Sequence, residues 1–127
     1  MTISRRIIEV CNARRPILSC VRNAGDFAGV FEYCDDAGYF YLYEMKNSSG
    51  GKILDYIFMF FGRLNIVATD ISIRWDSSEE KVGLFIGKAL WAVFNVRERS
   101  KYGGNYRVGA RPTLSPQATA GFGIDVV

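Results

Sequence analysis

Histidine is missing from this chain of 127 residues. Its absence excludes Ser-His-Asp and Cys-His catalysis, and it excludes metal sites that need histidine ligands. Cysteine is also scarce, with three residues at Cys11, Cys20 and Cys34. Because no Cys-x-x-Cys pair occurs, we expect three reduced, mostly buried thiols, with one disulfide or a reactive thiol as the alternative. We therefore expect no metal and no other cofactor.

Long apolar segments are missing too. No stretch reaches the ~18 consecutive apolar residues of a membrane-spanning helix, and the first residues lack the apolar region of a signal peptide. We expect a cytoplasmic protein of bacterial type without membrane association. The composition, 49% hydrophobic and 23% charged, is typical of a globular chain.

The clearest structural signal is a β-meander in the second half of the chain. Ile71, Ile73 and Trp75 alternate with polar residues, which is the pattern of a half-buried strand. Gly87-Lys88 separates the two apolar stretches that follow, and a Gly-X pair fits a type II′ hairpin turn with positive φ at the glycine. Both faces of this hairpin are apolar, so both must be covered. The turn predicts the opposed pairs Ile86–Ala89, Phe85–Leu90, Leu84–Trp91, Gly83–Ala92, Val82–Val93 and Lys81–Phe94.

Apolar runs predict further strands earlier in the chain. They lie at residues 7–11, 17–22, 29–34, 39–45 and 52–61. The last run is almost continuously apolar, which favours a central strand over the competing interpretation of a buried helix. Residues 62–70 are ambiguous between a loop and a helical turn, and residues 123–127 between a terminal strand and a tail.

The hairpin that joins strands 29–34 and 39–45 is compatible with two registers. A three-residue loop pairs Phe31 with Tyr43, whereas a four-residue loop pairs Phe31 with Leu42. The difference decides which side chains share a face of the sheet. We favour the four-residue loop because it collects four side chains on one face, namely Phe31, Tyr33, Phe40 and Leu42.

These signals together predict an all-β, mainly antiparallel fold. We expect one domain over residues 1–127, built as a sandwich or as a strongly curved, partly closed sheet. About seven or eight strands are predicted, with at most short helices. A stretch containing Gly, Tyr and Pro predicts a long loop at about residues 100–117.

Carboxylates are the remaining candidates for acid–base chemistry. Asp55 stands out because it interrupts an apolar run, although a structural position at a strand end is the more ordinary interpretation. Asp35, Asp36 and Asp76 are explained as turn residues. None of these acids carries a recognisable catalytic motif.

Tyrosine recurs at every second position of one predicted strand, at Tyr39, Tyr41 and Tyr43. Alternation places the three side chains on one face. They either pack within the sheet or form a recognition surface, since tyrosine is favoured at protein interfaces.

Positive charge is concentrated at the two ends of the chain. The net charge is +4 over residues 1–22, −4 over residues 23–96 and +3 over residues 97–127. Because these clusters are short and the middle is acidic, we expect no nucleic-acid binding. A candidate basic patch comprises Arg5, Arg6, Arg14, Arg15, Arg107 and Arg111.

Several short motifs resemble, in their order, a small bacterial family of unknown function. The motifs are Phe31-Glu32, Asp36-Ala37-Gly38-Tyr39-Phe40-Tyr41, Ile53-Leu54-Asp55, Ile73-Arg74-Trp75 and Ala92-Val93-Phe94-Asn95. The resemblance covers about residues 29–95, and the chain departs from the family at Gly87 and after Asn95. It implies a β-rich cytoplasmic domain with no assigned activity, and no catalytic residues can be transferred.

The sequence therefore predicts a non-enzymatic binding or protein-interaction module, which acts as a homodimer or with another protein through an aromatic sheet face. One alternative is a toxin-neutralising or regulatory partner that uses the acidic Asp35-Asp36 and Glu79-Glu80 loops. Another is a small-ligand-binding barrel or a carboxylate-based enzyme that uses Asp55. An enclosed polar pocket around this residue favours the last class, and a solid core with an apolar outer patch favours the first.

Overall fold

The protein folds into strands along most of its length. A computed structural model describes residues 3–4, 7–10, 16–34, 36–47, 50–61, 70–107, 110–112 and 114–123. Its strands are β1 (Ile3–Ser4), β2 (Ile7–Val10), β3 (Pro16–Val21), β4 (Phe27–Cys34), β5 (Ala37–Asn47), β6 (Gly50–Phe61), β7 (Ile71–Trp75), β8 (Lys81–Ile86), β9 (Ala89–Asn95) and β10 (Ser100–Gly103), followed by the short helix α1 (Pro116–Thr119). The predicted all-β, mainly antiparallel class is confirmed. The expected seven or eight strands were too few, since ten are present within these ranges.

The strands form two antiparallel sheets of five strands each. Sheet 1 has the order β1-β7-β8-β9-β10, and sheet 2 has the order β2-β3-β4-β5-β6. The sheets pack face to face, with the rings of Phe40 and Phe94 centred 5.1 Å apart in the shared core. They are in close contact at Gly29, where a Cβ atom would lie 2.7 Å from Val82 Cγ2. The structure thus shows the sandwich alternative.

The alternation predicted for β7 is confirmed. Ile71, Ile73 and Trp75 are buried in the core, and the residues between them are half-buried. Trp75 Nε1 donates a hydrogen bond to Cys20 O on the opposing sheet at 3.1 Å. The Cys20 side chain is buried, as expected, whereas the side chains of Cys11 and Cys34 lie outside the described part of the chain.

The tight turn between β8 and β9 is confirmed, with φ of +62° at Gly87. The pairs next to the turn, Ile86–Ala89 and Phe85–Leu90, are those predicted. Beyond them the prediction was wrong by one residue, because the register shifts after Phe85 and Trp91 is the extra residue of a β-bulge. The observed pairs are therefore Leu84–Ala92, Gly83–Val93, Val82–Phe94 and Lys81–Asn95.

Both registers considered for the β4–β5 hairpin were wrong. The loop between the strands is shorter than in either predicted register, since Phe31 lies opposite Phe40 and Cys34 lies opposite Ala37. Asp36 takes a φ of +61°, which aspartate tolerates better than most residues, so the turn closes without using Gly38. The favoured set of inward-facing side chains is nevertheless correct, because a slip of two residues preserves the face.

The expected central position of β6 was also wrong, since this strand lies at the edge of sheet 2. Its continuous apolarity has a different cause: one face enters the core through Ile57, and the other carries exposed Tyr56. Two later residues run along its outer edge. Asn105 N donates to Phe58 O at 2.7 Å, and Tyr106 N donates to Met59 O at 2.8 Å.

The C-terminal part of the chain is more ordered than the predicted long loop. It contains β10 and α1, and the side chain of Ser115 caps the helix by accepting a hydrogen bond from Ala118 N. This segment covers the outer face of sheet 1, as the two apolar faces of the hairpin require. The covering cluster consists of Phe85, Leu90, Val93, Ala118 and Phe122.

Two ambiguous stretches of the sequence lie almost wholly outside the described residues. They are residues 62–69, where a helical turn was one expectation, and residues 124–127, where a terminal strand was one. Where the chain is described, no helix has both the length and the apolarity needed to cross a membrane.

Candidate functional site

Four aromatic rings form a cluster on the outer side of sheet 2, which we call the aromatic face: Tyr39, Tyr41, Tyr56 and Phe58. They alternate along β5 and β6 with core residues, so they point away from sheet 1. Tyr39 lies at the centre. Its ring stacks on Tyr41 at 6.0 Å and meets Phe58 edge-on at 5.5 Å. The outermost ring, that of Tyr56, is 54% exposed.

Tyr43 extends the predicted tyrosine stripe along the same side of β5. It stands opposite Ile53, which is 53% exposed. Its ring lies over Gly51, where any side chain would collide with it. The structure thus places Tyr39, Tyr41 and Tyr43 on one side of the sheet and adds exposed apolar side chains from β6 to them.

Asp55 lies on the inner side of sheet 2, opposite Leu42 in the strand register. It lines an open cleft of about 410 Å³ that is formed by residues of both sheets. Its carboxylate pairs with Lys101 Nζ at 2.9 Å, and the two side chains are 44% and 46% exposed. Pairs this exposed stabilise a fold by less than about 1 kcal/mol. Asp55 is therefore a rim residue in an ion pair between the sheets.

The cleft itself combines an apolar floor with charged walls. Its lining includes Phe27, Leu42, Phe94, Glu44, Asp55 and Arg99. Glu44 and Arg99 come from opposite sheets, and neither was singled out from the sequence. Only the β5–β6 register and the stacking of the sheets bring them together, so no local motif signals the cleft.

A bidentate ion pair joins Arg22 and Asp26. The two contacts measure 2.6 and 2.9 Å, and they lower the pKa of the Asp26 carboxyl and raise that of the Arg22 guanidinium. Arg22 also donates to Glu79 O at 2.9 Å and lies over the ring of Trp75. These contacts fasten the β3–β4 hairpin to sheet 1, which is a structural role.

Arg74 is held against the C-terminal segment. Its guanidinium lies 4.1 Å from the ring centre of Phe85 and donates to Phe122 O at 3.1 Å. Burial lowers the pKa of the Arg74 guanidinium. The Arg74 side chain therefore holds the C-terminal segment against sheet 1.

The acidic Glu79-Glu80 loop makes contacts within the chain, whereas Asp35 of the other acidic loop lies outside the described residues. Asn23 Nδ2 donates to Glu79 Oε2 at 2.7 Å, and Arg97 pairs with Glu80 at 3.1 Å. Asp76 is a buried turn residue, as expected, and its carboxylate accepts hydrogen bonds from Glu80 N and Lys81 N. These contacts give Glu79 and Glu80 partners within the chain.

The predicted basic patch is only partly described. Arg107 and Arg111 are exposed. The other four arginines, Arg5, Arg6, Arg14 and Arg15, lie outside the described residues. Within the described ranges, no group of three or more acidic or cysteine side chains is arranged to hold a metal ion.

A comparison with the models of known protein families identifies the family of this chain. Residues 11–114 match the model of a family described as uncharacterized protein conserved in bacteria (DUF2251). The chain belongs to this family. The match confirms the resemblance found in the sequence and extends it at both ends. Searches of the curated proteins and of the solved structures find no match for the chain. Membership of DUF2251 brings no catalytic residues with it, so the candidate function depends on the surfaces described above.

Proposed function

We propose that this protein is a non-enzymatic binding module that recognises a protein surface, in the first place a second copy of itself, through the aromatic face. One contrast carries the proposal. The chain covers the outer face of sheet 1 with its own C-terminal segment, whereas Tyr56 on the outer face of sheet 2 is 54% exposed. Exposed apolar patches of this kind mark interaction sites.

The chemistry of the aromatic face suits a protein interface. Tyrosine side chains supply a large contact area and a polar tip, and they are enriched among the residues that dominate binding energy. The stacking of Tyr39 on Tyr41 orders both rings before a partner arrives. One surface patch can also meet the same patch on a second copy about a two-fold axis, as in most homodimers.

The oligomeric state tests this proposal. We expect the wild-type protein to be a dimer by sedimentation equilibrium and light scattering. The double variant Ile53→Ser/Tyr56→Ser removes two exposed apolar side chains next to the ordered rings and is expected to be monomeric. Leu54→Ser is the matched control, because Leu54 lies on the same strand and is 42% exposed but lines the cleft.

Circular dichroism and melting curves of each variant separate lost association from lost folding. A wild-type protein that stays strictly monomeric at high concentration contradicts self-association. Equal dissociation of the control and of the double variant contradicts the role of the aromatic face.

The cytoplasm is the proposed compartment. The occurrence of the family in bacteria and the low cysteine content, three residues without a Cys-x-x-Cys pair, support it. A chain with few cysteines does not depend on the disulfides that form in oxidising compartments.

A further inference from the structure

The open cleft formed by residues of both sheets holds two charges of opposite sign that no described residue neutralises. Glu44 projects from β5, and Arg99 lies in the turn between β9 and β10. Neither side chain forms an ion pair or hydrogen bond with another described residue. Lys52 stands opposite Glu44 in the strand register, yet no ion pair joins them. The remaining acid of the cleft, Asp55, is already paired with Lys101.

Part of the cleft lining is apolar. Leu42 and Phe94 are 8% and 1% exposed, and Phe27 adds a half-buried ring. The cleft volume of about 410 Å³ lies within the range of ~300–1,000 Å³ typical of small-molecule sites. An apolar floor with a few separated polar groups is the usual composition of such sites.

A carboxylate suits the positively charged side of the cleft. The guanidinium of Arg99 is planar and can form two parallel hydrogen bonds with a carboxylate, which makes arginine a common partner of this group.

We propose that the cleft binds a small zwitterion with an apolar body, namely an apolar amino acid or dipeptide. Its ammonium group pairs with Glu44, its carboxylate pairs with Arg99, and its apolar side chain covers Leu42 and Phe27. A purely anionic or purely cationic ligand leaves one of the two protein charges without a partner. The site lies on the inner side of sheet 2, so this inference is independent of the aromatic face.

Titration by nuclear magnetic resonance tests the proposal on the full chain. L-Leucine and L-leucyl-L-leucine are expected to shift the backbone amide signals of residues near Glu44 and Arg99. Because both charges are partly open to water, the expected Kd is on the order of 0.1–1 mM. N-acetylleucine, which lacks the ammonium group, and leucinamide, which lacks the carboxylate, are expected to bind at least about tenfold more weakly.

Charge-removing variants identify the site. Glu44→Gln and Arg99→Gln are each expected to weaken leucine binding at least about tenfold. Glu98→Gln and Arg97→Gln are matched controls on the β9–β10 turn, outside the cleft lining, and are expected to bind like the wild type.

Three results overturn the proposal. The first is the absence of any shift at ligand concentrations well above the expected Kd. The second is equal binding of the singly charged analogues. The third is an equal loss of binding in the control variants. Amide spectra of each variant without ligand report whether it is folded, so a folding defect is not mistaken for lost binding.

Discussion

Single side chains, more than regular hydrogen bonding, join the two sheets at the β3–β4 end of the sandwich. Arg22 contacts Asp26 on its own hairpin, Glu79 on the opposing turn and the ring of Trp75. Trp75 in turn donates to Cys20 O. A substitution among these residues therefore affects the relative position of the sheets as well as one local contact.

Asp26 gives a prediction about pH. Its hydrogen bonds from Arg22 lower the pKa of the folded carboxyl below the ordinary value of 3.8. A lowered folded pKa stabilises the protein above the unfolded pKa, and this contribution is lost as the pH falls through the folded pKa. Asp26→Asn is therefore expected to lower the free energy of unfolding at neutral pH by about 1 kcal/mol or less, because the pair is partly exposed. The difference from wild type shrinks towards zero below pH 3.8.

Urea denaturation of both proteins over a pH series measures this difference. Asp70→Asn is the control, since Asp70 is exposed and forms no ion pair with another described residue. A difference between wild type and Asp26→Asn that is constant with pH would show that the ion pair has no part in the effect.

The elements of the sheet depend on turns with defined backbone conformations. Gly87 has φ of +62°, and nothing lies within 4 Å of the position where its Cβ atom would be. Gly87→Val is therefore expected to lower stability through backbone strain alone, by about 1–2 kcal/mol. Lys88→Ala is expected to change stability little, because Lys88 does not have a positive φ. Thermal unfolding compares the two, and equal melting temperatures contradict the turn assignment.

Strand faces were easier to predict than strand partners. The period of two correctly placed Phe31, Phe40 and Leu42 on one face, because burial depends only on alternation. The register depends on how tightly the turn closes, and here Asp36 supplies the positive φ that the sequence suggested for a glycine. A two-residue error in register therefore left the predicted core intact.

The bulge at Trp91 could not be read from local sequence. Tyr106 donates to Trp91 O at 2.7 Å, and its ring meets the indole edge-on at 4.8 Å. Burial raises the pKa of the Tyr106 hydroxyl. Gly103 lies so close to Trp91 O that a side chain there would collide with it. Trp91 is thus accommodated by Gly103 and Tyr106, which lie more than ten residues later in the sequence. No sequence pattern within β9 indicates these contacts.

At the scale of the whole molecule, the C-terminal segment covers the outer face of sheet 1, whereas the outer face of sheet 2 carries exposed side chains. Lys81 Nζ donates to Gln117 O and Ala120 O, at 3.0 and 2.7 Å, and fastens the helix to sheet 1. Phe122 follows the helix and is 1% exposed. The covering segment thus completes a second, smaller core on this side of the sandwich.

Phe122→Ala tests the importance of this cover. Loss of a buried phenylalanine side chain typically costs about 3–5 kcal/mol, and here it also uncovers Phe85, whose ring is centred 5.7 Å from that of Phe122. We expect a large drop in the urea midpoint and increased binding of a hydrophobic dye. Gln117→Ala, at an exposed position on the same segment, is expected to change neither. Dye binding like that of wild type would contradict the covering role.

The two candidate sites differ in how far they can be predicted from the sequence. The stripe of Tyr39, Tyr41 and Tyr43 followed from alternation within one strand. The cleft did not, because Glu44 on β5 and Arg99 in the β9–β10 turn line the same cleft only when the two sheets pack together. Asp55 was noticed as an acid in an apolar run, but its partner, Lys101, lies on the other sheet.

The contact of Asn105 and Tyr106 with β6 has a consequence for self-assembly into fibrils. β6 is twelve residues long and forms one edge of its sheet, and such edges are templates for strand pairing between molecules. The amides of Asn105 and Tyr106 occupy the carbonyl oxygens of Phe58 and Met59, which an incoming strand would otherwise bind. Two residues of the chain itself thus remove two of the acceptors that amyloid-like growth along β6 would use.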